Sequence, residues 1–412
     1  MPGSVPTIPG DKAPPQYAEG LRLEVARLLK RNSTSFPGAQ PVSFLKRHIA
    51  ENLEIEDYFV CEKSDGIRCL MYFTTVNGAE ATYVIDRKND FYYVQGLHFP
   101  LQGDIQKFHT DCLVDGELVI DDMGNGQERM KYLVFDSLVI DGKLLTERTL
   151  DKRLGYFREL VYKPYEALCK QYPDEVQYFP FLIEFKNMQV SYALPLLCNE
   201  IIPNLKHGTD GLIFTSRLMP YVFGTDEKIL KWKPAEENSI DFRLTLHFPI
   251  FTDEKDQTDS YIDYDAQPTT ILSVWCGDKT YKPYGELYLT SEEWDKLKAL
   301  NEPLDERIVE CVLDQERNAW RYLRFRDDKP TPNHISIVEK IVMSVKDGVT
   351  KQELLDANLR IRETWKRRNR QEEDARRATE RQRDRERRMT DDGVGAAYSQ
   401  QAGEKRKLGV EN

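Results

Sequence analysis

The sequence holds no C-x-x-C pair. Its seven cysteines, at positions 61, 69, 112, 169, 198, 276 and 311, are odd in number and scattered. This disfavours both a disulfide framework and a structural zinc site, and a reducing cytosol or nucleus fits best. No run of about 18 apolar residues is present to cross a bilayer, so a soluble protein with no membrane contact is expected. The start, MPGSVPTIPGDKAPPQ, lacks a basic segment followed by an apolar one and reads as a Pro-rich disordered arm, not a signal peptide. Basic excess is missing too: Lys plus Arg number 58 against 69 Asp plus Glu, a net charge of −11. That argues against a protein that coats long duplexes by neutralising phosphates, and leaves room for a local basic site.

At 412 residues, 40% hydrophobic and 11% aromatic, the chain exceeds one compact domain and is too apolar to be disordered throughout. From Asn52 to about Trp232, short β-branched and apolar runs alternate with turn signals (YFVCEK, RCLMYFTT, ATYVID, CLVDGELVID, DGLIFTS, ILKWK). Helix-like stretches lie between them, so this part is expected to be α+β with antiparallel sheets. Past Lys233-Pro234, strands resume at FRLTLHF, TILSVWCG, GELYLT, IVECVLD and WRYLRFR, and Thr290 to Glu293 has capping-box spacing. After Pro332 the pattern turns helical, with Ile337, Ile341 and Val345 four residues apart and a second capping box at Thr350 to Glu353. The expected divisions are a disordered arm over 1–16, a first domain over 17–235, a mostly β domain over 236–332, a helical segment over 333–390 and a disordered tail over 391–412. Leu359 to Met389 carries 13 Arg or Lys and 7 acids, a local +6 that leaves −17 on the rest. This is either a solvated charged helix or tail, or a contact for RNA or a partner. Lys405-Arg406-Lys407 is a weak nuclear-localisation hint.

Several short blocks carry chemistry. Lys63-Ser64-Asp65-Gly66-Ile67-Arg68 lies between two strand-like runs, and a lysine at such a turn is a nucleophile if neighbouring cations or desolvation keep its amine neutral. By itself the block is equally a surface hairpin. Lys231 and Lys233 flank Trp232 and share a strand face, which suits a triphosphate or an exposed edge with a packed tryptophan. Asp115 and Glu117 also share a face, suiting a hard cation or ribose hydroxyls, although D-G-E is commonly a turn. Phe135 and Ile213, taken as bare residues, read as core.

The blocks are ordered. KSDGIR is followed by Asp86-Arg87-Lys88-Asn89, Asp115-Gly116-Glu117, Phe135-Asp136, Glu184-Phe185-Lys186-Asn187-Met188, Asp210-Gly211-Leu212-Ile213-Phe214, Lys231-Trp232-Lys233-Pro234 and Arg324-Phe325-Arg326-Asp327-Asp328-Lys329. This set resembles the covalent nucleotidyltransferase superfamily of mRNA capping guanylyltransferases and polynucleotide ligases. Within it, the stretch from about Tyr17 to Val349 is similar to the fungal-type mRNA guanylyltransferase, the capping enzyme's alpha subunit. The resemblance implies an N-terminal nucleotidyltransferase domain of ATP-grasp-like antiparallel sheets with helices, then an OB-fold β-barrel and a C-terminal helix. It implies that Lys63 forms a lysine-GMP intermediate from GTP and passes GMP to a 5′-diphosphate RNA end, giving the GpppN cap.

For the site, the resemblance implies that Arg68 and Arg87 touch ribose or phosphate and that Glu117 belongs to the site. Phe135 and Ile213 would sandwich guanine, with Lys186 at its carbonyl oxygen, and Lys231 and Lys233 would hold phosphates. Asp210 would stand near the reacting lysine. A divalent cation, Mg²⁺ or Mn²⁺, is implied, with Glu117 and Asp210 as its ligands. Arg324, Arg326, Asp328 and Lys329 would reach the β and γ phosphates on domain closure, or alternatively form an RNA-binding patch. Implied partners are a separate RNA 5′-triphosphatase subunit, since no second catalytic domain is expected upstream, and the phosphorylated C-terminal repeat of RNA polymerase II; the implied location is the nucleus. Two competing readings are an ATP-dependent ligase, against which K-W-K-P and Trp275-Cys276-Gly277-Asp278 stand, and a catalytically dead scaffold, which intact Lys63, Glu117, Lys231 and Lys233 disfavour.

Overall fold

The computed structural model describes residues 6–234, 238–252, 260–314 and 316–407, with side chains described up to residue 383 apart from Ser344. Two sheets build the first domain. The larger, eight-stranded sheet runs in the order Asp11–Lys12, Phe91–Val94, Ala79–Ile85, Ile67–Val76, Cys112–Gly124, Gln127–Ile140 and Lys143–Leu144, and Leu182–Phe185 pairs in parallel with Gln127–Ile140. Its central strand Ile67–Val76 is apolar from Cys69 to Phe73 because both of its faces are covered. Cys69, Met71 and Phe73 point to one core with Phe157 and Tyr165, while Leu70 and Tyr72 point to another with Ala18, Leu21 and Val25. The period-2 alternation of a strand thus serves two helical layers at once: Pro15–Leu28 on one side, Leu150–Phe157 and Lys163–Gln171 on the other.

The smaller sheet runs Gln189–Val190, Tyr58–Ser64, Thr209–Ser216, Gly224–Trp232 and Ala39–Ser43. The chain passes from Tyr58–Ser64 in this sheet to Ile67–Val76 in the larger one through Asp65-Gly66 alone. A two-residue connection holds the facing surfaces of the two sheets together, with Lys63 beside it.

Ser239–His247, Thr269–Trp275, Tyr281–Tyr288, Ala319–Phe325 and Ile308–Asp314 close into a five-stranded barrel, the architecture expected of an OB domain. Phe242, Leu272, Val274, Val309 and Trp320 fill it. The Thr290–Glu293 capping box starts the helix Ser291–Lys298 as its spacing predicts. Helix Ile335–Lys346 lies on the barrel through Val338, Ile341 and Val342; of the three predicted positions Ile341 packs there and Val345 is buried, whereas Ile337 is 46% exposed and Val338 takes its place.

Three expectations are corrected. Part of the supposed arm over 1–16 is structured, since Asp11–Lys12 joins the large sheet, Lys12 Nζ meets Asp90 at 2.7 Å and the first helix begins at Pro15. The last helix, Lys351–Lys407, continues through the supposed tail over 391–412, of which residues 408–412 lie outside the described residues. Nor is the segment 333–390 a unit of its own. Beyond the Thr350–Glu353 cap, Leu354, Ala357 and Ile361 enter the first domain's core with Leu53, Tyr58, Phe214 and Trp232. Trp365 meets Tyr192 edge-on at 5.5 Å, and Arg368 donates to Asp57 and to the carbonyls of Glu54 and Glu56. Its charged continuation is solvated where its side chains are described. Among the described residues no helix is long and apolar enough to cross a membrane.

Because Ile361 is fully buried in that core, Ile361→Ala should cost about 2–5 kcal/mol, read as an earlier urea midpoint with an unchanged slope. An unshifted midpoint would show that the helix is not part of the first domain's cooperative unit.

Candidate active site

Between the two sheets lies a cavity of about 370 Å³, a size that suits a small-molecule ligand. The large sheet contributes Arg68, Asp115, Glu117, Phe135 and Asp136, and the small one Glu62, Lys63, Ile213, Lys231 and the adjoining Lys233. Arg87, in the turn after Ala79–Ile85, and Lys186, just beyond Leu182–Phe185, complete the cationic set.

Two irregularities in the ladders aim key side chains. Val134 pairs with Gly116 and Asp136 with Asp115, so Phe135 has no register partner; this bulge turns it toward the cavity instead of into a core. Gly116 is required opposite it, since a Cβ there would stand 2.5 Å from the Tyr132 ring. In the small sheet the register slips between Thr209 and Leu212, displacing Asp210 and Gly211. Gly211 has φ +144° and a Cβ would stand 2.1 Å from Trp232 O, so only glycine fits. The slip brings Asp210 to the lysines: its Oδ1 accepts from Lys63 Nζ at 2.6 Å and its Oδ2 pairs with Lys233. Phe135 and Ile213, which as bare residues read as core, are both half-buried on the cavity wall, one from each sheet.

The charges fall into two groups. Arg68 forks onto Asp115 at 2.7 and 3.1 Å and also donates to Ala39 O, while Tyr221 donates to Asp115 at 2.7 Å. Burial alone would lower the Arg68 pKa, but the Asp115 carboxylate raises it above the usual value. Arg68, expected at ribose or phosphate, lines the cavity with three of its donors bonded within the protein and sits over the Phe135 ring at 5.3 Å. Lys186 is likewise buried and paired, 3.1 Å from Glu62 and 3.8 Å from Glu117, and donates to Ser64. Burial lowers its pKa, but Glu62 and Glu117 together with Cys61 raise it above the usual value. The second group is uncompensated. Among the described residues neither Arg87 nor Lys231 has a carboxylate at ion-pair distance, and both pKa values are lowered, first by burial and then by neighbouring cations: Arg68 for Arg87, Lys233 and Lys63 for Lys231.

Of the expected metal ligands, Glu117 fits a hard cation better than Asp210. Glu117 offers a carboxylate at the cavity wall with one oxygen taken by Ser64, whereas both Asp210 oxygens are held by ammonium groups. Among the described residues the one clustered His/Cys/Asp/Glu trio, His109, Cys112 and Asp141, lies away from this cavity and is hydrogen-bonded within itself. The barrel residues are not brought to the site. Arg324 pairs with Glu310, Arg326 with Asp241, Glu310 and Asp328, and Lys329 with Asp241, all on the barrel's own surface. Sequence reasoning missed Glu62, Ser64 and His207, although the first two flank Lys63 and the third precedes Asp210 by three residues.

A half-buried lysine beside cations with no ion-pair partner among the described residues, at a cavity lined by Phe135 from one sheet and Ile213 from the other, fits a nucleotidyltransferase site. Comparison makes this particular: the chain belongs to the mRNA capping enzyme family, matching its catalytic-domain model over residues 4–235 and its C-terminal-domain model over 237–355. The activity is that of an mRNA guanylyltransferase. The chain is 49% identical over 380 residues to an mRNA-capping enzyme subunit alpha of Yarrowia lipolytica, covering 91% of this chain and 95% of that one. It is 48% identical over 385 residues to the Neurospora crassa protein of the same name, covering 89% and 95%. A solved mycobacterial DNA ligase D complexed with ATP and MES aligns over 72% of this chain and 95% of its own at a TM-score of 0.36 and 14% identity, too slight a likeness to carry weight.

Two stability effects follow. Asp115→Ala strands the buried Arg68 charge and should cost about 3–5 kcal/mol in urea unfolding. The His207 pKa is raised: burial lowers it, but Asp121 at 2.9 Å and Glu62 at 3.5 Å outweigh that. The folded state therefore binds the proton more tightly than the unfolded one, so this stabilisation is complete below about pH 6.5 and fades as pH rises through the folded value. The stability gap between wild type and His207→Gln should shrink from pH 6 toward pH 9; a gap that widens would contradict the assignment.

Proposed function

We propose that Lys63 attacks the α-phosphorus of GTP, forming an N–P bond as the P–O bond to pyrophosphate breaks, and that a 5′-diphosphate RNA end then takes the GMP as the P–N bond breaks. The observation that carries this is the Lys63 amine at 2.6 Å from Asp210 in a cavity where, among the described residues, Lys231 and Arg87 have no carboxylate at ion-pair distance. A triphosphate supplies the missing negative charge and draws Lys233 from Asp210, freeing that carboxylate to take the Lys63 proton. Lys231, Lys233 and Arg87 then face charge that grows on the leaving pyrophosphate, where fixed cations contribute most. Phe135 and Ile213 hold the base from opposite sheets, with the Lys186 ammonium at its edge. Glu117 would hold a divalent cation, which when bound neutralises charge on the phosphates. Arg324, Arg326, Asp328 and Lys329 reach the phosphates by closure of the barrel over the cavity.

The relatives are named alpha subunits, which implies a second subunit. We further propose that this subunit is the RNA 5′-triphosphatase, that the chain docks on the phosphorylated polymerase II repeat, and that it works in the nucleus. The chemistry requires a diphosphate RNA end, and a triphosphatase produces one.

Purified protein incubated with Mg²⁺ and α-labelled GTP, then denatured, should retain label, and Lys63→Ala should retain none. Asp210→Asn, which keeps the shape but loses the proton acceptor, should slow labelling about 10²-fold or more. Label from ATP alone would make the protein a ligase, and label persisting in Lys63→Ala would remove Lys63 from the chemistry.

A further inference from the structure

Behind the base end of the cavity runs a continuous buried chain of charges that the two transfer steps do not use. Lys186 Nζ is 3.1 Å from Glu62 Oε1, and the same oxygen is 3.5 Å from His207 Nε2. His207 Nδ1 meets Asp121 at 2.9 Å, and Asp121 meets Lys131 at 2.8 Å. Glu62 is 2% exposed, and its other oxygen has no hydrogen-bond partner. A carboxylate so poor in donors stays charged only through the cations beside it, and here those are Lys186 and His207. The groups facing the His207 ring come from three elements: Glu62 on Tyr58–Ser64, Asp121 on Cys112–Gly124 and Lys186 beyond Leu182–Phe185.

We infer that His207 is a positioning residue for nucleotide binding: by sharing Glu62 it keeps that carboxylate from capturing Lys186, and leaves the ammonium aimed at the base edge. This rests on the reading of the cavity as the GTP site. With His207 charged, Glu62 divides its attraction between two cations, and Lys186 stays spread among Glu62, Ser64 and Glu117 at the cavity wall. Without that charge Glu62 holds Lys186 alone, and the ammonium withdraws from an incoming carbonyl oxygen. The effect falls on binding, because none of these groups is among those that carry the transfer.

The test is the rate of covalent labelling of the full chain against GTP concentration. In His207→Gln the KM for GTP should rise about tenfold, with the saturating rate kept within about twofold. His207→Lys, which restores a cation, should recover part of the loss. In a Glu62→Gln background, where the capturing carboxylate is gone, adding His207→Gln should raise KM no further, since His207 acts only through Glu62. In wild type, KM should climb as pH rises from about 6.5 upward through the raised folded-state value of His207, a climb absent from His207→Gln. An unchanged KM, a saturating rate that falls while KM holds, or additive effects in the double variant would overturn the proposal. Should the variants melt below the assay temperature, a flat wild-type KM over that pH range would overturn it by itself. Wild type that takes no label from GTP would instead sink the reading of the site on which the proposal stands.

Discussion

Asp210 holds two ammonium groups that would otherwise repel each other, Lys63 from one strand and Lys233 from the end of another, and the geometry around the reacting amine depends on that bridge. Its cost is a local break in sheet pairing. The slip between Thr209 and Leu212 and the glycine at 211 exist because a regular ladder would not carry the Asp210 carboxylate to both lysines. With the bridge in place, Lys231 and Arg87 have no carboxylate at ion-pair distance among the described residues, and their surroundings lower their pKa values. Such a site is poised for a polyanion: it gains Coulomb energy from a triphosphate and offers little to a neutral ligand.

The division between committed and uncommitted charge explains how a chain of net −11 can bind a nucleotide and receive an RNA end. Arg68 with Asp115 and Lys186 with Glu62 are buried pairs that build walls. They contribute shape and orientation, and their own charges are cancelled before a ligand arrives. Arg87 and Lys231 contribute field instead. Counting cations in the cavity would overestimate its attraction for phosphate, because four of the six are paired within the protein, Arg68 and Lys186 with Asp115 and Glu62, and Lys63 and Lys233 sharing Asp210.

Residues whose role follows from strand alternation were legible in the sequence. Lys231 and Lys233 share a face because they are two apart, and Trp232 between them is buried as that alternation demands. Roles that depend on a bulge or on contact between sheets were not. Phe135 looks like core because its neighbours are core, and only the unpaired register position turns it outward. Arg68 is expected at ribose or phosphate, but its buried pairing with Asp115, 47 residues away, is not announced by any spacing. Glu62 and His207 meet only once two sheets are stacked, and no spacing announces that. The barrel cations were identified as a group, but their place relative to Lys63 depends on the angle between domains, which a linear pattern does not encode.

That angle has a physical handle. The last helix returns to the first domain, so the barrel is inserted into it and leaves by one connection after Trp232 and another before Val349. These points are fastened together: Trp232 Nε1 donates to Val349 O at 2.6 Å, and both residues sit in the same core. A body tethered at two distant points resists rotation, whereas one whose two connections leave from a single place turns about that place. Trp232 lies between Lys231 and Lys233, so the pivot is one residue from two of the cavity's cations. Charge arriving at those lysines therefore acts beside the point about which the barrel cations would have to swing, so a closure of the kind proposed would be coupled to whatever those lysines hold.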